Sequence, residues 1–141
     1  MGTVTCSRYH DISCGHRVVG HEGKCRHLHG HNYRFHFTCQ AQALDKVGRV
    51  VDFSCIKQTL CEFLEQRLDH KFIMWEKDPL AQTLRDVNTL GVVLVPFNPT
   101  AENLAKWMVE DVAPELLAQY GVTLVECVVE ETAKCKATYK L

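Results

Sequence analysis

The chain has 141 residues, 46% hydrophobic and 23% charged, with 16 Lys and Arg against 17 Asp and Glu for a net charge of -1. That length suits one domain, residues 1–141, able to bury roughly 68% of its unfolded surface without covalent staples. The near-neutral balance excludes a general attraction to nucleic acid or an anionic membrane, and no apolar run approaches the roughly 20 residues of a spanning helix.

The N-terminus lacks the charged, apolar and small-residue regions of a secretory signal, so a cytoplasmic location is expected. Eight cysteines fit that expectation as buried reduced thiols, because none forms a Cys-x-x-Cys pair and several fall in apolar-periodic segments. Cys25 is the expected exception.

Strands are predicted over Thr3 to Asp11 and Asn32 to Ala43, the second alternating Tyr33, Phe35, Phe37 and Cys39. A His- and Cys-bearing loop lies between them. Asp45-Lys46-Val47-Gly48 reads as a turn, and a helix is predicted over Ser54 to Leu68 with Ile56, Leu60, Phe63, Leu64 and Leu68 as its buried stripe. Lys71 to Leu90 is weakly patterned, although Asp78-Pro79 offers a cap and first turn for a short helix. Val92 to Val95 is a short strand candidate. Thr100 then caps a second helix carrying Leu104, Trp107, Met108, Val112 and Leu116, with Pro114 expected to kink it and Gly121 to end it. Val122 to Val129 and Lys134 to Tyr139 close the chain as a hairpin. The order indicates an α+β fold, a four-stranded antiparallel sheet with two helices on one face.

The most informative segment is Cys25-Arg26-His27-Leu28-His29-Gly30-His31. On an extended chain, residues two apart project to one face about 6.6 Å apart, so both rings of His29 and His31 can lean onto one metal ion. A catalytic zinc takes three protein ligands and keeps an open position, so a third histidine is needed. His16, following the first strand, is the choice; His10, His21, His27 and His36 compete. Cys25 is either a buried thiol or a reactive one whose pKa a nearby cation, Lys24 and Arg26 would lower. Asp69-His70 closes the first helix, where helix-end polarity is the plainer explanation. Glu130 and Glu131 sit at the hairpin, where one could grip a ligand, and Glu102 lies in the first turn of the Thr100-capped helix.

Together these pieces resemble the 6-pyruvoyltetrahydropterin and 6-carboxytetrahydropterin synthase family across nearly the whole chain. The carriers are His16 after small residues, Gly23-Lys24-Cys25, Leu28-His29-Gly30-His31-Asn32-Tyr33, Val51-Asp52-Phe53, Leu68-Asp69-His70-Lys71, Asn98-Pro99-Thr100-Ala101-Glu102-Asn103-Leu104 and Glu131-Thr132. The resemblance implies a tunnelling fold, whose sheets oligomerise into a β-barrel within a homohexamer, with active sites at subunit interfaces. It implies zinc on His16, His29 and His31, Cys25 as proton-transfer base, and Asp69 with His70 as a second proton relay. Glu131 would anchor the pterin ring, with Thr100 and Glu102 near it. A carboxylate suits the amino-pyrimidinone edge because it accepts two parallel hydrogen bonds.

The implied substrate is 7,8-dihydroneopterin triphosphate. Three residues between Cys25 and His29 resemble the 6-carboxy-5,6,7,8-tetrahydropterin synthases, which release acetaldehyde and serve 7-deazaguanine and queuosine synthesis. The pyruvoyl-forming enzymes usually carry a longer insertion there. Rival expectations are pyruvoyl formation on the same substrate, aldol cleavage of a related pterin, a zinc hydrolase, and a non-catalytic zinc-bound pterin or purine binder. Segment 78–96 is longer than in compact members of the family.

Overall fold

The computed structural model describes residues 2–141. Strand β1 (Thr5–His16) pairs antiparallel with β2 (His29–Gln40), and a first long helix follows over 53–67. Two short strands, β3 (Phe72–Trp75) and β4 (Val92–Val95), are separated by a short helix, Ala81–Val87. A second long helix over 101–117 leads into β5 (Thr123–Glu130) and β6 (Lys136–Lys140).

The four antiparallel strands and two long helices stand as predicted, but the sheet is wider and mixed. It has six strands in the order β4-β3-β1-β2-β5-β6, with β3 and β4 joining the β1 edge in parallel. The segment Phe72-Ile73-Met74-Trp75 escaped sequence reading because Ile73 and Met74 are buried side by side, which erases the alternation of a one-faced strand. Gly15 makes this packing possible, since a Cβ there would lie 2.4 Å from the Phe72 ring.

The first strand also runs five residues further than predicted. Ser13 and Gly15 look like loop residues, yet they occupy the outward positions while Ile12, Cys14 and His16 point inward. His16 is therefore the last residue of β1 and not part of the following loop, and His29 and His31 open β2.

Local chemistry explains the helices. The Asp52 carboxylate accepts from the Ser54 amide at 2.9 Å and starts the first, whose Ile56, Leu60, Leu64 and Leu68 are fully buried. Thr100 Oγ1 accepts from the Asn103 amide at 3.1 Å and starts the second. A wider π turn over Met108–Val112 precedes Pro114, which stands in the first turn of the α-helical stretch Ala113–Leu117, and Gly121 ends the segment at φ 66°. The core lies between these helices and the inner face of β2, where Tyr33, Phe35 and Phe37 have no exposed surface. The outer face is polar: Arg34 grips Asp11 at 2.7 and 3.0 Å and lies over the Tyr9 ring, and His36 pairs with Glu130.

Candidate metal centre

Antiparallel register sets His16 opposite His29 and Cys14 opposite His31, all three histidines facing inward at the end of the sheet. One ligand nitrogen from each lies within 4.8 Å of the others, with ring centroids 4.6 to 5.2 Å apart. The Nε2 atoms of all three are buried without a hydrogen-bond partner. Two are held for a purpose: His16 Nδ1 donates to the Pro99 carbonyl at 2.6 Å, and His29 Nδ1 to the His27 carbonyl at 2.7 Å. A proton on Nδ1 leaves the Nε2 lone pair free, which is the tautomer that ligates a metal.

Electrostatics agrees with a set of neutral imidazoles. Burial, with the neighbouring His29 and His31, pushes the His16 pKa down from 6.5 to about 4 against the opposing hydrogen bond to Pro99. Burial also lowers that of His31, with Glu131 opposing. Such nitrogens shed their proton for a cation at neutral pH without an acid to compete. The three histidines can hold a metal ion, and their all-nitrogen, three-ligand set leaves room for a fourth group.

Glu131 stands over that opening, its two carboxylate oxygens each 3.9 Å from an Nε2, one of His16 and one of His31. Its hairpin position hid this, because charged turn residues are ordinarily solvated. Glu130, its neighbour, is occupied by His36.

Cys25 sits half-buried on the turn Lys24–Arg26, tied to the loop just after β1 by a 2.9 Å bond from the Val18 amide to the Cys25 carbonyl. All eight cysteines are free; Cys14, Cys39, Cys55, Cys61 and Cys127 are buried, Cys6 and Cys25 are half-buried, and Cys135 is exposed. Burial pushes Cys14, across from His31, up to about 12.

Asp69 and His70 form the expected pair, His70 Nδ1 to Asp69 Oδ2 at 2.9 Å. Asp69 Oδ1 also accepts from the Ser13 amide, and these hydrogen bonds hold its carboxyl below the usual range although burial works against ionisation. His70 adopts φ 61°, a left-handed conformation at an otherwise unusual position, and its side chain is 81% exposed. Among the described residues no hydrogen bond or ion pair joins this pair to the three histidines or to Cys25. The pair lines a recess on the outer sheet face with Asp11, Asn32, Arg34 and Thr132, and His70 also lines a second recess with Gly30, His31 and Phe72.

Thr100 spends its hydroxyl on the helix cap, and Glu102 is exposed in the first turn. The competing histidines are committed elsewhere: His10 bonds Glu65 at 2.6 Å, His21 Nδ1 accepts from the Gly23 amide, His36 pairs with Glu130, and His27 is exposed.

Three supporting residues were missed. Asn98 bridges Val19 through both its amide oxygen (3.0 Å) and nitrogen (2.9 Å), which fastens the Pro99 carbonyl under His16. Arg17 grips buried Asp78 at 2.6 and 2.7 Å. Tyr33 keeps a fully buried hydroxyl without a partner. Asn98 and Tyr33 stand in the quoted motifs and Asp78 in the Asp78-Pro79 cap, but none of these local signals points to the contact made.

The fold and the site define an α+β protein with a cluster of three histidines able to hold a metal ion at the end of a curled mixed sheet. The family model described as 6-pyruvoyl tetrahydropterin synthase matches residues 5–141, and the chain belongs to that family. It is 31% identical over 133 residues to the 6-carboxy-5,6,7,8-tetrahydropterin synthase of Rickettsia typhi, covering 94% of this chain and 96% of that one. The enzyme of the same name from Aquifex aeolicus is 37% identical over 125 residues, 83% of this chain and 76% of its own. Among solved structures, an uncharacterized protein from Wolinella succinogenes superposes with a TM-score of 0.86 at 24% identity over 99% of each chain. The Caenorhabditis elegans 6-pyruvoyl tetrahydropterin synthase gives 0.66 at 25% identity, over 100% and 97%.

Proposed function

We propose that this single-domain chain is a cytoplasmic, zinc-dependent 6-carboxy-5,6,7,8-tetrahydropterin synthase. It converts 7,8-dihydroneopterin triphosphate and water to 6-carboxytetrahydropterin, acetaldehyde and triphosphate, a lyase step toward 7-deazaguanine and queuosine. The observation that carries the reading is the convergence of three buried, unpartnered Nε2 atoms beneath a carboxylate, in a chain whose full-length relatives bear that name.

His16, His29 and His31 hold the zinc, which when bound supplies Lewis acidity toward oxygens of the substrate side chain. Cys25 is the base that removes a side-chain proton; its turn is bonded to Val18, two residues beyond His16. Glu131 accepts two hydrogen bonds from the amino-pyrimidinone edge once it swings off the histidines, and Thr100 and Glu102 border that pocket. Asp69 orients His70, keeps it ready to accept a proton, and stabilises the imidazolium that results.

The 81% exposure of the His70 side chain supports a site shared between subunits, with a neighbouring copy's pair completing it. Open sheet edges at β4 and β6 are where copies would join in a hexamer of closed barrels. The name borne by the C. elegans neighbour favours pyruvoyl formation on the same substrate as the second reading. The test is to incubate zinc-loaded protein with 7,8-dihydroneopterin triphosphate and assay acetaldehyde and triphosphate. Both should appear in equal amounts; triphosphate without acetaldehyde turns the conclusion to the second reading, and no consumption of substrate rejects both.

A further inference from the structure

The inward row of β2 runs His29, His31, Tyr33, Phe35, Phe37. The last three rings are equally buried, and the two deeper positions use phenylalanine, which carries no group needing a partner. Tyr33 keeps a hydroxyl at a place where none bonds to it. An orphaned buried hydroxyl is destabilising, and such groups call for an explanation.

Its surroundings supply one. The Tyr33 ring stands edge-on to both His16 and His31, at centroid separations of 5.7 and 5.3 Å, so it forms the wall of the three-histidine site on the core side. Like the three Nε2 atoms, the hydroxyl is buried without a partner among the described residues, and partly exposed Glu131 lies 3.9 Å from the Nε2 atoms of His16 and His31.

We propose that Tyr33 is a substrate-contacting residue whose hydroxyl donates a hydrogen bond to an oxygen of the ligand side chain that reaches the three histidines. The inference rests on the pterin reading above. It assigns the hydroxyl to recognition of the side chain, apart from recognition of the ring by Glu131.

The test is Tyr33→Phe in the full-length, zinc-loaded protein, with two non-reacting probes measured by calorimetry: neopterin, which carries the trihydroxypropyl chain, and 6-methylpterin, which lacks it. The variant should bind neopterin roughly 5- to 20-fold more weakly and 6-methylpterin as wild type does. Zinc content should be unchanged, and the ligand-free variant should unfold at the same or a higher temperature, because an orphan has been removed. Unchanged neopterin affinity, an equal loss for both probes, or an unfolding temperature lowered by several degrees each overturns the proposal. Wild-type protein that binds neither probe overturns the pterin reading itself and this inference with it.

Discussion

Replacing Asp78 with Asn isolates a contact that sequence reading passed over. Asp78 is nearly inaccessible, its side chain 1% exposed, and its carboxylate takes both the Nε and the terminal nitrogen of Arg17 at 2.7 and 2.6 Å as well as the Leu80 amide at 2.8 Å. The substitution keeps an acceptor for Leu80 but leaves a guanidinium facing a neutral amide. Removing one partner of a buried pair costs about 3–5 kcal/mol, and because Arg17 is 18% exposed and partly solvated we expect about 2–3 kcal/mol. For a chain of this length that is a fall of about 7–10 °C in Tm. Urea melts should show a lower midpoint with an unchanged slope. The double variant Arg17→Met with Asp78→Leu, which removes both charges, should come back to within about 1 kcal/mol of wild type. A loss below about 0.5 kcal/mol in Asp78→Asn, or a double variant no better than the single one, would show that the pair does not hold the β3 end of the sheet to the His16 strand. Because burial opposes but Arg17 and the Leu80 amide outweigh it, the Asp78 carboxyl sits below its ordinary 3.8; the pair's contribution is present above that pH and fades as pH falls through the lower folded value.

Three further outcomes follow from the site. With His16 lowered from 6.5 to about 4, the metal-free fold binds this proton less readily than the unfolded chain, so this group alone should take about 3 kcal/mol from stability between pH 6.5 and pH 4 and nothing further below that; denaturant melts across that range check it, and a flat profile would contradict the burial of His16. Cys25→Ala should retain zinc by elemental analysis while losing at least about 100-fold in turnover, and equal turnover would take Cys25 out of the chemistry. Brief iodoacetamide treatment of native protein followed by mass spectrometry should mark Cys135 and Cys25 first and leave Cys14, Cys39, Cys55, Cys61 and Cys127 unmodified until denaturant is added.

Legibility in the sequence followed the strength of local pattern. The two long helices carry four-residue apolar spacing and side-chain caps at Asp52 and Thr100, and β2 alternates cleanly, so these elements emerged close to their observed bounds. β1 was cut short because its outward residues, Ser13 and Gly15, mimic a loop, and β3 was invisible because both its faces are covered. His29 and His31 announced themselves through spacing. His16 was harder, since its partnership depends on register across 13 residues, and the Pro99 carbonyl that orients it lies 83 residues away. The Arg17 and Asp78 contact spans 61 residues and has no local signature whatever.

The bond between His16 and Pro99 has a consequence for biogenesis. All three imidazoles leave the ribosome within the first quarter of the chain, but the carbonyl that locks the tautomer of one of them arrives 83 residues later. The tautomer of His16 is therefore set by a contact that only the folded chain provides, across almost the whole span between the first strand and the second long helix.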